Sequence, residues 1–493
     1  MINNKYIKMR FNKIYIIVLT SLFIISCADF DRDFADEEYF TASHAAAVAG
    51  SGSTQGLKSL DGAILAYFRD GGSSTDEFGL KAIDMGMDLK GNDMDMTSAT
   101  TWFARYQNYD NVTVSSNDNY FLWEFFYKVI NQANGIINTI PDDAAAESLI
   151  YKSKSYAYRG LAYFYLVRLY QHTKSSDSSE GVPIDFGDFV GQPNSSVGEV
   201  KNQIESDLKV AYDGLSDYSR LSVEEVDASV VAAYLARYYL TYENWSEAEK
   251  YADEAAKAGT ISNDVLHGYD ELSLSEVIWG AQVTDTTTEV YASWFSHISQ
   301  INDGYSGWNH FKLGNSNLVD AIPETDTRKG WFADDDYGAG VILVPGTWGH
   351  YNITPKYTSL KFIAEPGPGV FTGDYIYLRN TEFILTKAEA LARQGKDGDA
   401  ADVLFELNSI RDPNYVKSTK TGQDLIDEIL LYRRIELWGD GVSFFDMARL
   451  GVGLNRDDGR VNRVQDGPGG TLVIPALDPK MIYPIPQAET DAK

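Results

Sequence analysis

The sequence predicts a mainly α-helical fold in which tetratricopeptide-like helical hairpins form a scaffold, interrupted by a loop-rich insertion that contains short strands. Three observations lead there. Long stretches carry apolar residues at helical spacing, two pairs of such stretches are joined by short polar turns, and a central region abandons that spacing for short alternating segments between glycines.

The chain opens with Lys5, Lys8, Arg10 and Lys13, followed by an apolar run from Ile14 to Ile25 that ends in Ser26-Cys27. A positive start and a short apolar core are the pattern of a secretory signal. The run is shorter than the ~20 apolar residues a membrane-crossing helix needs. Residues 1–26 are therefore expected to be a signal peptide, and Cys27, with a small residue before it, a lipidation site. Cys27 is the only cysteine among 493 residues, so no intrachain disulfide can form. A core of this size needs no such staple. Residues 27–55 are expected to be a lipid-tether linker, acidic over Asp29–Asp33 and rich in Ala, Gly and Ser from Ala42 to Gly56.

Residues 56–493 are expected to form one domain. Leu57, Leu60, Ile64 and Phe68 recur at helical spacing. The segments Tyr120–Ile137 and Tyr156–Tyr170 are apolar on more than one face, as helices packed on several sides are, and 198–215 reads as another helix. Over 226–259, Val231, Leu235, Tyr238 and Tyr242 make one stripe, and Ala248, Ala252 and Ala255 make a second one after Asn244. Bulky residues facing alanines let two helices approach closely. A second pair lies at 377–412, with Phe383, Ala388 and Leu391 before Gly395 and Ala401, Leu404, Leu407 and Ile410 after it. A plain α-bundle is the alternative. The insertion at about 262–376 holds Val277-Ile278-Trp279 and Val341-Ile342-Leu343-Val344 as candidate strands, together with Trp294, Trp308, Trp331 and Trp348. From 451 on, the chain reads as loop with a little extended structure.

Net charge is −29, and near −33 once the four cations of the leader are removed. Nucleic acid is excluded as a partner, because phosphate recognition needs clustered Lys and Arg, and contact with the membrane is left to the lipid alone. Apolar residues make up 44% of the chain, which fits a folded protein. With 32 Tyr, 23 Phe and 9 Trp there are more rings than a core requires, so some are expected to face outward.

Several segments resemble one family. Arg159-Gly-Leu-Ala-Tyr-Phe-Tyr-Leu-Val-Arg-Leu-Tyr170 is similar to the signature helix of the SusD/RagB family, and Gly181-Val182-Pro183-Ile184 to the segment that follows it. Arg379–Glu382 through Lys387–Leu391, Leu407–Arg411, the run Arg433–Leu437 with Gly441, Phe444, Phe445, Asp446 and Arg449, and Tyr483–Glu489 match later family motifs in order. Tyr432 stands where the family has an acidic residue, and Val442-Ser443 where it has a His-Arg pair. Arg433, Arg434, Glu436, Asp446 and Arg449 lie among Leu, Trp and Phe, so they are expected to pair and hold the fold rather than catalyse.

The resemblance implies a surface lipoprotein of the outer membrane that binds a glycan and delivers it to a SusC-like TonB-dependent transporter, as a hinged lid on that channel; some relatives take up peptides instead. It also implies a ligand site built of aromatic rings from two regions. Here the first offers Trp102, Arg105, Tyr106 and Asn108, with Phe103 and Tyr109 as possible core residues. The second offers Tyr305, Trp308 and Asn309, and Trp294, Trp331 and Trp348 are further candidates. Flat rings flanked by amide, carboxylate or guanidinium groups suit sugars, which present C–H faces and hydroxyl rims.

A glycoside hydrolase would need a suitable carboxylate pair, but there is no HExxH, GxSxG or phosphate-loop motif. The six histidines (44, 172, 267, 297, 310, 350) show no paired metal spacing. No cofactor is expected. Calcium is the one metal to consider, at Asp93 and Asp95 or at Asp334-Asp335-Asp336, and a solvated acidic loop explains both runs as well.

Overall fold

The computed structural model describes residues 54–97, 102–184, 193–287, 291–300, 304–306, 310–334, 355–364, 371–456 and 473–491. Cys27, the tether up to residue 53, Trp308, Asn309, Val341–Val344, Trp348, Asp335 and Asp336 lie outside these residues. The fold is mainly α, with few and short strands.

The chain enters through α1 (Thr54–Asp70) and α2 (Leu80–Leu89), then the short strand β1 (Met94–Met96) and α3 (Ala104–Asn108). Leu57, Leu60, Ile64 and Phe68 are the buried apolar stripe of α1, as their spacing predicts. Two long helices follow, α4 (Asn117–Thr139) and α5 (Ala146–Tyr170), and then α6 (Val197–Gly214). The second half of α5 is buried on every face because it lies between α4 and α6. Arg159 pins all three together: it donates two hydrogen bonds to Asp207 of α6, at 2.8 and 2.7 Å, and one to Asn134 of α4 at 2.8 Å. At Gly160 an added Cβ would lie 3.0 Å from Leu208, so the absence of a side chain sets how closely α5 and α6 approach.

The first hairpin is α7 (Ala228–Thr241) with α8 (Trp245–Ala256), and the second is α11 (Asn380–Arg393) with α12 (Asp397–Arg411). Asp227 caps α7 by accepting from the amides of Ser229 and Val230, and Asn244 caps α8 by accepting from Glu247. Gly395 makes the turn of the second hairpin at φ +74°, a conformation that favours glycine. Ala248, Ala252 and Ala255 are fully buried and give α8 a smooth face. That helix packs on α7 and also on α11, so hairpins separated by more than a hundred residues stack directly. Lys387 of α11 seals the contact with an ion pair to Asp253 of α8 at 2.6 Å.

Between the hairpins run β2 (Val277–Ala281), α9 (Trp294–Ile298), β3 (Lys312–Gly314), α10 (Ser316–Asp320), a 3-10 turn (Thr327–Trp331) and β4 (Tyr375–Arg379). The strand expected at Val277-Ile278-Trp279 is β2. It pairs antiparallel with β4, which leads straight into α11, so this ladder closes the base of the inserted chain. A second ladder joins β3 to β1, with Met96 opposite Lys312. The chain ends with α13 (Gly422–Glu436), α14 (Ser443–Leu450), the two-residue strands β5 (Leu454–Asn455) and β6 (Val473–Ile474), and α15 (Gln487–Asp491).

The charges expected to pair do so, around Glu436 at the end of α13. Its carboxylate accepts from Arg328 at 3.1 Å, Arg379 at 3.0 Å and Arg411 at 3.1 and 3.0 Å. Glu276 takes a further hydrogen bond from Arg379 at 3.0 Å and one from Arg411 at 2.6 Å, and Asp326 one from Arg328 at 2.7 Å. Burial alone would push the Glu436 carboxyl up, but the three guanidinium groups hold it well below the carboxylate range. Nearby, Asp446 is bound by Arg433 and by Arg449, each at 2.7 Å, which overcomes burial and holds it at about 2. The backbone amide of Ser443 donates to buried Asp88 at 3.1 Å. Arg434 reaches out to Asp93, with an exposed flank of its own.

Glu436→Gln would leave buried guanidinium charge uncompensated, which costs about 3–5 kcal/mol when one partner of a buried pair is removed. The variant is expected to unfold at clearly lower urea concentration than the parent by circular dichroism; an unchanged midpoint would remove the hub from its structural role. Because the folded value of Asp446 is depressed, its contribution is present above the ordinary carboxylate range near ~4 and is lost as pH falls towards about 2.

Candidate functional site

The β1–β3 ladder sets the site, because it brings the loop after α2 against the insertion. Past the ladder, the Thr97 amide donates to the Phe311 carbonyl at 3.1 Å and the Phe311 amide to the Thr97 hydroxyl at 3.0 Å. Trp102 and Tyr305, about 200 residues apart in sequence, consequently meet with ring centroids 4.0 Å apart. His310 stands edge-on to Trp102 at 4.8 Å, and His297 stacks on Tyr305 at 4.7 Å. Tyr291 continues the row at 6.0 Å from Tyr305 and is 52% exposed. Trp102, Tyr305 and His310 are half-buried, so this cluster offers ring surface to solvent.

Beneath it, Lys312 on β3 is fully buried and donates to the carbonyls of His297 at 2.8 Å and His310 at 3.0 Å. The lysine thus ties two ring-bearing segments together. Burial lowers its amine to about 7. Burial, with the nearby Lys312, also lowers His310 to about 4 and takes His297 well below the imidazole range. Both imidazoles are neutral at physiological pH, so behind the rings they present dipoles rather than charge. His297 is further fixed by the Thr75 carbonyl at 2.8 Å.

The backbone is strained at this point. Trp102 has φ +41° and Tyr109, which ends α3, has φ +59°, both outside the range ordinary residues favour. Such conformations cost on the order of 1–3 kcal/mol and persist where the surroundings enforce them.

The remaining expectations divide. Arg105 keeps 51% of its side chain exposed while holding buried Asp118 through two bonds at 2.9 and 2.6 Å, and Asp76 at 3.1 Å. Tyr106 was expected to face the ligand but is a core residue, 2% exposed, and its ring lies where a Cβ on Gly86 would be 2.6 Å away. Asn108 is buried too, on the inner side of the short helix. Phe103 and Tyr109 belong to the core, the latter donating to the Lys90 carbonyl. Trp294 and Trp331 are also internal: Trp294 lies under the Lys81 ammonium at 4.0 Å, and Trp331 donates to the Val265 carbonyl at 2.7 Å. Short elements packed on nearly every side decide these burials, as where only Arg105 of the five residues of α3 stays out of the core.

Asp93 and Asp95 are not a solvated acidic loop. Both are buried, Asp93 paired with Arg434 and Asp95 accepting from Gln107 at 2.6 Å. Among the described residues no group of three or more His, Cys, Asp or Glu is placed to hold a metal. Sequence reasoning missed Tyr291, His297 and His310. Tyr291 carried a usable signal, a lone ring beyond a threonine-rich turn; the histidines carried none.

A family model described as starch-binding associating with outer membrane matches residues 81–240, and the SusD family model matches 354–493. A SusD-like protein of Formosa agariphila is 22% identical over 382 residues, spanning 69% of this chain and 74% of its own length. A SusD-like carbohydrate-binding protein of Bacteroides vulgatus superposes with a TM-score of 0.76 at 24% identity, covering 89% of this chain and 96% of that one. A laminarin-binding SusD-like protein does so at 0.63 and 17%, covering 89% and 97%.

Because His310 is held down by burial, its imidazole C–H resonances in NMR are expected to titrate with a midpoint at about 4. This histidine supports folding fully above the usual ~6.5, and that support is lost as pH falls from there to about 4. A midpoint at the ordinary value would mean the ring is solvated and the cluster open beneath Trp102.

Proposed function

Since this chain belongs to the SusD/RagB family, we propose that it captures an oligosaccharide at the cell surface and passes it to a SusC-like TonB-dependent transporter without cleaving it. The observation that carries this reading is the meeting of Trp102 and Tyr305 at 4.0 Å, half-buried beside the more exposed Tyr291. Stacked and tilted rings offer the flat apolar surface that a pyranose C–H face covers. Neutral histidines behind them add polarity without charge, which suits an uncharged sugar. Trp102 is held in a strained backbone, and strain of this kind collects at ligand-binding positions. Two relatives support a glycan in particular, one named as carbohydrate-binding and one as laminarin-binding.

Trp308 and Asn309 follow Tyr305 closely in sequence and complete the proposed ligand set with Arg105. Attachment to the outer membrane is proposed through a lipid on Cys27, with residues 27–55 as tether. This agrees with the described helices, none of which is long and apolar enough to cross a membrane.

Removing one ring of a stacking pair forfeits about 0.5–1.5 kcal/mol beyond the area term. Trp102→Ala and Tyr305→Ala are each expected to weaken retention in native gels loaded with laminarin or another recognised polysaccharide by roughly tenfold, with thermal unfolding nearly unchanged. Equal binding by parent and variants would end this assignment, as would released oligosaccharide products on prolonged incubation. For the anchor, Cys27→Ser should shift the protein from the membrane fraction to the soluble one; retention in membranes would refute lipidation there.

A further inference from the structure

A second concavity shares no residue with the ring cluster. Helix α1 makes one wall, with Lys58, Gly62, Leu65 and Arg69 turned to it at helical spacing. The start of α5 and the loop at 218–225 face it, and the β2–β4 ladder contributes Gly280 and Tyr377. The space has a volume of ≈ 630 Å³, against ≈ 320 Å³ for the cavity beside α13. That lies within the range of small-molecule sites.

Two polar atoms on this wall are buried without a hydrogen-bond partner among the described residues: Nε of Arg69 and the hydroxyl of Tyr377. Tyr377 is only 6% exposed. An orphaned buried donor is a standing cost that a ligand oxygen would remove. Apart from Lys58, the other charges are already engaged. Lys154 binds Asp61 at 3.3 Å and Glu225 at 3.1 Å, the Thr54 hydroxyl donates to Glu147 at 3.1 Å, and the Gln282 amide donates to Glu224 at 2.8 Å.

Lys58, Arg69 and Lys154 stand against Asp61, Glu147, Glu224 and Glu225, so the wall carries one excess negative charge. An anion meets that excess, and a cation meets Lys58 and the Arg69 guanidinium. A neutral polyol avoids both penalties: its oxygens accept from Arg69 and Tyr377, its hydroxyls donate to carboxylate lone pairs, and its C–H face lies on Tyr151 or Leu65. We propose that this cavity is a separate binding site for a neutral sugar of one or two rings. The inference rests on the cavity alone and stands whether or not the ring cluster binds glycan.

The test uses the full-length protein and a ring-cluster double variant, Trp102→Ala with Tyr305→Ala, titrated calorimetrically with glucose, maltose and cellobiose, and with galacturonate as the anionic probe. At least one neutral sugar is expected to bind parent and double variant alike. Gly62→Leu fills the cavity, since nothing lies within 4 Å of a Cβ built there, and leucine favours the helix over glycine. It is expected to weaken that binding roughly tenfold with no loss of thermal stability, and Arg69→Met, which keeps bulk and removes the donor, should do the same. The proposal is overturned if the double variant binds none of the neutral sugars, if both cavity variants bind as the parent does, or if galacturonate binds best.

Discussion

The carboxylate of Glu436 is the point on which the architecture turns. Three guanidinium groups converge on it from three places: Arg328 from the 3-10 turn of the insertion, Arg379 from the end of β4 and Arg411 from the end of α12. Each of these charges is expensive to bury, and one left there without a partner would be strongly destabilising. Glu276, Asp326 and Asp440 supply the counter-charges, and Lys361 joins through Asp440 at 3.0 Å. Because each arginine answers to two or more carboxylates, a shifted element would strand a charge. The hub therefore selects one arrangement of insertion and helical array, which a greasy contact of equal area would not do.

That selection matters for the ring cluster, whose parts have no local reason to meet. Trp102 sits in a loop beside α3, and Tyr305 follows α9 in the insertion. The β1–β3 ladder and the two bonds between Thr97 and Phe311 bring the segments together, and buried Lys312 holds the carbonyls behind the rings. Rings left only half-buried in this way forgo burial that a core would have taken. Fixed backbone beneath them lowers the ordering cost that a flexible aromatic loop would meet on binding.

Much of the fold was legible along the chain. The stripe on α1, the alanine face of α8, Gly395 at the hairpin turn and the strand at Val277–Trp279 all follow from spacing and residue type. The pairing of Arg433, Glu436, Asp446 and Arg449 was legible as well, because charges among Leu, Trp and Phe have few other options. The candidate site was readable only in part. Trp102, Arg105 and Tyr305 are placed at or near the surface, whereas Tyr106 and Asn108 in the same short segment turn inward. A five-residue helix has too few positions for periodicity to tell its two faces apart.

What the sequence determined by itself is local: which stretches coil, where they stop, and that the long helices bury more than one face. Those properties depend on side chains a few residues apart, whose spacing the chain displays directly. Only the tertiary structure decided which distant elements touch, that α8 packs on α11 across the whole insertion, and which rings keep a face in water. It also decided that Asp93 and Asp95 are buried partners rather than open ligands for a cation. Such outcomes depend on long-range pairing of strands and of buried charges, where the energy belongs to neighbours hundreds of residues away.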